Sequence, residues 1–228
     1  MQNYRIVLLV IIILAAALRF YHLGINPPSL NWDETAEGYN AYSILKTGRD
    51  EYGYKLPLSF RSFDDYKPPL YIYMTVPSVA IFGLNDFAVR CPSAFLGGLA
   101  VLFCYLMVFE LFKNKPIALL SSLFLAVSPW HLQFSRVGFE TNSTILWSTL
   151  GLWAFLKGTK AKGARIMLWM SLASLSFGLN LFMYHNSRVF IPFFTVALLI
   201  LFKGKLLNVK KYLIIPAVIA SIYSVILL

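Results

Sequence analysis

Charge is what this 228-residue chain has least of. Asp, Glu, Lys and Arg together make up 13% of it, against ~25% in a typical soluble domain. With 58% hydrophobic residues, that scarcity excludes a disordered chain, which needs charge and little apolar content. Thirteen Gly and eleven Pro exclude a collagen-like repeat. Cysteine is nearly absent: Cys91 and Cys104 are the only two. That excludes a disulfide-stapled scaffold, and both read as small buried hydrophobes. Three histidines, His22, His131 and His185, share no metal-ligand spacing. Acid is the scarcer charge, ten Asp and Glu against twenty Lys and Arg, for a net +10. In a soluble protein that excess would suggest nucleic acid. With a mean hydropathy of +0.67, the chain reads instead as an integral membrane protein. Its basic surplus then reports topology, and no nucleic-acid partner is expected.

What the chain has in quantity is apolar runs near the ~20 residues that a spanning helix needs. Eight stretches qualify: 6–23, 68–84, 89–111, 116–135, 141–156, 166–187, 189–202 and 212–228. If 68–84 spans, the clusters Lys113/Lys115, Lys157/Lys160/Lys162/Arg165 and Lys203/Lys205/Lys210/Lys211 fall outside while Arg5 is inside. If 68–84 lies at the interface, all of them join Arg5 inside, as the positive-inside rule prefers. Pro68-Pro69, Pro77, Tyr71 and Tyr73 agree with an interfacial helix. The expectation is an all-α polytopic membrane protein with about seven transmembrane helices: 6–23, 88–111, 116–135, 142–157, 166–184, 189–203 and 211–228. Residues 24–87 form a long first external loop with interfacial helices, and 136–141 form a short external turn. The first stretch resembles a signal, with Arg5 before it and Ala15-Ala16-Ala17 within it. The spans that follow favour a retained anchor, with Arg19 snorkelling to the interface. The whole of 1–228 is read as one transmembrane domain. Its apolar run to Leu228 is read as the front part of a longer protein. The inner side then holds eleven basic residues and one acid, Glu110, and the outer side nine of each.

Nine of the ten carboxylates are thus expected outside, eight of them within 24–87. Asn31-Trp32-Asp33-Glu34 reads as a capped helix start, Asn31 and Glu34 forming a capping box. The helix runs to about Lys46, with Thr47-Gly48 as its stop. Asp33 and Glu34 sit in the first turn, where the helix dipole favours negative charge. They are general-base candidates or merely caps. Lys67, before Pro68-Pro69, opens a helix whose N–H groups could join it in holding a lipid phosphate. The competing reading is a snorkelling lysine. Arg90 and Arg136 are further cations for that phosphate. The bland alternatives are i, i+4 pairs, Asp86 with Arg90 and Arg136 with Glu140.

Together these residues resemble a family. Trp32-Asp33-Glu34, Tyr66-Lys67-Pro68-Pro69-Leu70, Asp86-Phe87-Ala88-Val89-Arg90 and Ser135-Arg136-Val137-Gly138-Phe139-Glu140, in this order after an apolar span, are similar to the GT-C membrane glycosyltransferases. The branch is that of the protein O-mannosyltransferases and aminoarabinose transferases. The resemblance implies a polyprenyl-phosphate-sugar donor, a protein, lipid or glycan acceptor, and a bacterial or archaeal cytoplasmic membrane. It implies an N-terminus inside and chemistry outside. It places the essential acid on Asp33, the basic position on Lys67 and a second acid on Glu140, where relatives commonly carry Asp. A divalent metal, if used, would fall to Asp33 and Glu140; no other cofactor is implied. The expected reaction is inverting sugar transfer with Asp33 as base. The alternatives are a transporter or flippase-like protein with an acidic external vestibule, and a non-catalytic fragment of the transferase.

Overall fold

The computed structural model describes residues 2–63 and 65–207. Apolar sequence sets the first helix, α1 (Gln2–Phe20). A loop then leads to α2 (Trp32–Thr47). The expected capping box is present there: the Asn31 side chain accepts from Glu34 N–H, and Glu34 accepts from Asn31 N–H. Gly48 ends α2 in the left-handed region (φ 67°), which favours glycine. A short antiparallel hairpin follows, β1 (Phe60–Ser62) with β2 (Asp65–Lys67), pairing Phe60 with Lys67.

Pro69 starts α3 (Pro69–Phe82) at the position where a helix tolerates proline best. Its fourteen residues extend about 21 Å, short of a ~30 Å hydrocarbon core. It packs through Ile72 and Val79 on Ala41 and Ile44 of α2, on Phe60 and on Ala88. Ala88 belongs to the long α4 (Asp86–Phe112), capped by Asn85. Then come α5 (Lys115–Val127), α6 (Pro129–Ser135), α7 (Glu140–Gly158), α8 (Ala164–Leu181), α9 (Ser187–Leu201) and α10 (Lys203–Leu207).

Among the described residues, three helices are long and apolar enough to cross a membrane: α1 from Asn3, α4 and α8. A fourth results if α5 and α6, bent by 58° where Pro129 interrupts the backbone ladder, count as one. The expected seven is therefore not reached among the described residues. α7 has spanning length but a polar stripe, because it lies inside the bundle. Its Asn142 donates to the Ser93 carbonyl of α4, and its Thr144 carbonyl and Ser148 accept from Asn180 of α8. α9 has fifteen residues, and the seventh stretch, 211–228, lies outside the described residues.

The outward faces are apolar. Ile6, Leu9, Val10 and Ile13 of α1 are largely exposed, as are Phe193 and Leu201 of α9. A surface of that kind suits lipid rather than water. The inward faces form apolar clusters, such as Ile11, Ala15, Val101, Leu119 and Ala126 between α1, α4 and α5. Arg19 does not snorkel. It is fully buried, donating to the carbonyls of Ala15 and Ala126 and contacting His131 Nδ1 at 2.9 Å. The bend after α5 frees the Ala126 carbonyl to accept it.

Helix direction sorts the charges. α1, α5 and α8 begin where α4, α7 and α9 end. Lys160, after α7, reaches Glu110 at the end of α4, and Lys115 lies over the Tyr4 ring of α1. The opposite end gathers α2, α3, the hairpin and the turn between α6 and α7.

Candidate active site

The site is built on Lys67, the last residue of β2. The rigid Pro68-Pro69 that follows fixes where the strand stops and α3 begins, and so where the lysine projects. Its Nζ is 2.9 Å from Asp33 Oδ1, 3.5 Å from Asp65 Oδ2 and 3.9 Å from Glu140 Oε1. Its side chain is 11% exposed and that of Asp33 is 26% exposed. Asp33 comes from the first turn of α2, and Glu140 from the first turn of α7. The site thus collects residues from three elements at one end of the bundle.

A fourth carboxyl lies behind these. Glu37 is one turn along α2 from Asp33 and has 1% of its surface exposed. Burial pushes its pKa well above the usual carboxylate range. The charge of Glu140 and a hydrogen bond to that carboxylate push it the same way, against the pull of Lys67. Burial and Glu140 thus favour the protonated form of Glu37, which donates a hydrogen bond to Glu140, while its Oε2 has no partner among the described residues. For Lys67 the balance is reversed. Burial works to lower its pKa, but the hydrogen bond to Asp33 and the charges of Glu140 and Asp33 outweigh it and raise it. Asp65, on the exposed rim, is lowered first by the Tyr66 N–H; burial opposes this, and Lys67 and His185 lower it further.

Three candidates from the sequence take structural posts instead. Arg90 is fully buried. Its Nε donates to Glu34 Oε1 at 2.8 Å, and its terminal nitrogens donate to Glu34 Oε2 and to the carbonyls of Leu23, Pro27 and Ser29. A phosphate would have to displace these bonds to reach it. Arg90 pairs with Glu34 rather than with Asp86, because the guanidinium points into the bundle. Glu34 also accepts from the N–H groups of Asn31 and Gly138, so its carboxylate is saturated and turned away from Lys67. Gly138 permits this approach: a β-carbon there would lie 3.3 Å from Glu34 Cγ and from Val89. Arg136 closes α6 and donates to the carbonyls of Leu18, Arg19 and Asn26. It therefore does not pair with Glu140, which faces the other way, into the site.

A metal fits this donor set poorly. The Lys67 ammonium bridges Asp33 and Glu140, the two positions offered for an ion. Among the described residues no three His, Cys, Asp or Glu side chains converge as a metal site, and no step below runs through one. The signal for Glu37 in the sequence is its i, i+4 spacing from Asp33, which puts both on one face of α2. Asp64 lies outside the described residues. At the mouth, Trp32 is exposed and packs on Phe63, with ring centroids 5.4 Å apart.

Comparison with known proteins bears on the fold and the family. The chain is 24% identical over 229 aligned residues to YkcB of Bacillus subtilis (strain 168), which bears the name of a mannosyltransferase. The match takes in 96% of this chain and 30% of that protein. Among solved structures, ArnT from Cupriavidus metallidurans in the apo state superposes with a TM-score of 0.70 at 17% identity, over 98% of this chain and 40% of ArnT. ArnT bound to undecaprenyl phosphate gives 0.66 at 16% identity, with the same coverage. The oligosaccharyltransferase AglB from Archaeoglobus fulgidus, in complex with an inhibitory peptide and a dolichol-phosphate, gives 0.72 at 18% identity, over 96% and 29%. This chain thus spans less than half the length of each of these relatives, and it shares their GT-C membrane fold. Residues 66–228, more than two thirds of it, match the family described as dolichyl-phosphate-mannose-protein mannosyltransferase, and to that family this membrane-embedded chain belongs.

Proposed function

We propose that the protein transfers a sugar from a polyprenyl-phosphate donor to a hydroxyl acceptor, with Asp33 as general base and Lys67 as the cation that meets the donor phosphate. The observation that carries this reading is the 2.9 Å contact between Lys67 and Asp33 at the start of α2. At rest the lysine holds the base. An arriving donor phosphate competes for the ammonium, and as Lys67 turns toward it Asp33 is released. The acceptor oxygen then attacks the anomeric carbon from the face opposite the phosphate. A carbon–oxygen bond forms, and the bond to the phosphate oxygen breaks. The phosphate leaves with the electron pair, and the acceptor proton goes to Asp33. A single displacement of this kind inverts the anomeric centre. Lys67 stabilises the negative charge growing on the leaving group, which needs no proton of its own.

Glu140 and protonated Glu37 hold Lys67 from behind and fix where it points. Glu34 and Arg90 keep the start of α2 in place. The lipids bound by ArnT and AglB support a polyprenyl or dolichyl phosphate as the donor carrier. In this reading the site faces outward and the lysine-rich end inward, in the sense of the positive-inside rule. A reporter fused after Asp86 should then be read outside the cell.

The transporter alternative needs charged groups that line a path. Among the described residues, buried charges away from the site are instead held in place, Arg19 by carbonyls and His131, Arg90 by Glu34, and Glu110 by lysines. The deciding experiment uses the full-length protein in membranes, supplied with a labelled polyprenyl-phosphate sugar. Asp33→Asn should keep expression and fold and lose transfer. Retained turnover would remove Asp33 as the base.

A further inference from the structure

The helices carry a second charged centre, at the end away from Lys67. Twenty residues along α4 from Arg90, about 30 Å of helix, Glu110 is buried among three lysines. Its carboxylate is 2.6 Å from Lys113 Nζ, 2.7 Å from Lys160 Nζ and 3.8 Å from Lys157 Nζ. One carboxylate cannot neutralise three ammonium groups. Two cavities of about 620 Å³ each flank this knot, and Glu110 and Lys157 line both. The first opens between the start of α1, the ends of α4 and α7 and the start of α5. Its floor is apolar, with Leu8, Tyr105, Leu106, Phe109 and Trp153, and its rim carries Arg5, Lys115 and Lys157. Two of these cations rest on aromatic rings, Lys115 over Tyr4 at 5.4 Å and Lys157 over Trp153 at 6.0 Å. Rings hold such cations in place without neutralising them.

We propose that this cavity binds one anionic phospholipid, its phosphodiester against Arg5, Lys115 and Lys157 and its first acyl methylenes on Tyr105, Phe109 and Trp153. Diffuse positive charge near a membrane attracts any anionic lipid. A cationic rim over an apolar floor requires more: a ligand that carries phosphate and hydrocarbon in one molecule. Inorganic phosphate satisfies the rim alone, and a neutral lipid the floor alone. The site is separate from the Lys67 cluster and does not depend on the reaction proposed there.

The test is thermal melting of the full-length protein in detergent, titrated with phosphatidylglycerol, with phosphatidylcholine or with inorganic phosphate. Phosphatidylglycerol should raise the melting temperature saturably, and the other two should not. The double variant Lys115→Gln with Lys157→Gln should weaken phosphatidylglycerol binding about thirty-fold, from the usual contribution of two cations near a lipid surface. Leu106→Trp, which fills the floor and leaves every cation, should also lose the shift. The control is Lys203→Gln with Lys205→Gln. It removes the same charge from the same end, where Leu206 packs on Phe155 and Ile166, but outside the cavity. It should bind as the wild type does. Equal loss in the control means diffuse attraction and overturns the proposal. So does a phosphate shift equal to that of the lipid, or no lipid shift in the wild type.

Discussion

Lys67 and Glu110 are inverse arrangements at opposite ends of one bundle. At one end a single ammonium faces the carboxyl groups of Asp33, Asp65 and Glu140, with Glu37 behind. At the other a single carboxylate faces Lys113, Lys157 and Lys160. Each hub has more partners than it can satisfy, and the surplus decides what the end can do. Surplus carboxyl groups can accept a proton and orient a hydroxyl. Surplus ammonium groups can only attract anions. Acid–base chemistry therefore belongs to the Lys67 end and anion binding to the Glu110 end. Arg90 and Glu34 show what a balanced pair looks like. Every group is matched and buried, nothing is left over for a ligand, and the pair only holds elements together.

Substitutions can break or sharpen this asymmetry. The largest effect is expected for Asp33→Asn, a fall in transfer of about 10²–10⁴-fold, the usual worth of a general base, measured as turnover at saturating donor. Next is Arg90→Met, which leaves Glu34 buried with only its backbone donors. It should destabilise by about 3–5 kcal/mol, as one-sided loss of a buried pair does, read by denaturant or thermal unfolding. Asp33→Asn should barely move that measurement, which separates the two posts. Lys67→Ala should lower kcat/KM for the donor by about 10²-fold, as the loss of a preorganised electrostatic contact does. A change in melting alone would return Lys67 to a snorkelling role.

Glu37→Gln is a subtler test, because amide and protonated acid differ little. Its sign follows from the raised pKa. The folded protein keeps the Glu37 proton above the pH at which the unfolded chain loses it. Wild-type stability therefore falls as pH rises through the unfolded value, 4.5, toward the folded one. The variant cannot ionise, so its stability relative to wild type should grow with pH over that window. An unchanged difference between acid and neutral pH would mean that Glu37 is not protonated. The smallest effect is expected for Lys160→Gln. It removes one of three partners from Glu110 and should shift unfolding by about 1 kcal/mol or less, since this lysine is partly exposed.

Local rules reach as far as neighbours along the chain. The capping box at Asn31 and Glu34, the stop at Gly48 and the start of α3 at Pro69 depend on residues within four positions, and each forms as expected. The same rules offered Asp86 to Arg90 and Glu140 to Arg136, the nearest opposite charges. The structure pairs Arg90 with Glu34 across 56 positions and ties Arg136 to carbonyls at least 110 positions away. A guanidinium that cannot reach water takes the best-placed acceptors in space, whatever their distance in sequence.

The sequence by itself determined the membrane setting, the helical class, the gathering of Lys113, Lys115, Lys157 and Lys160 at one end and the first turn that carries Asp33. All of these follow from composition, period and capping, which act over a few residues. Only the tertiary structure decided which charges are spare. Packing α2 on α3 and α4, and α7 on α4, brought Asp33, Lys67, Glu37 and Glu140 together, and the contact of α2 with α4 buried Glu34 with Arg90. The reason is desolvation: once water is excluded, each charged group must find a partner in three dimensions, and a linear sequence does not record where those partners lie.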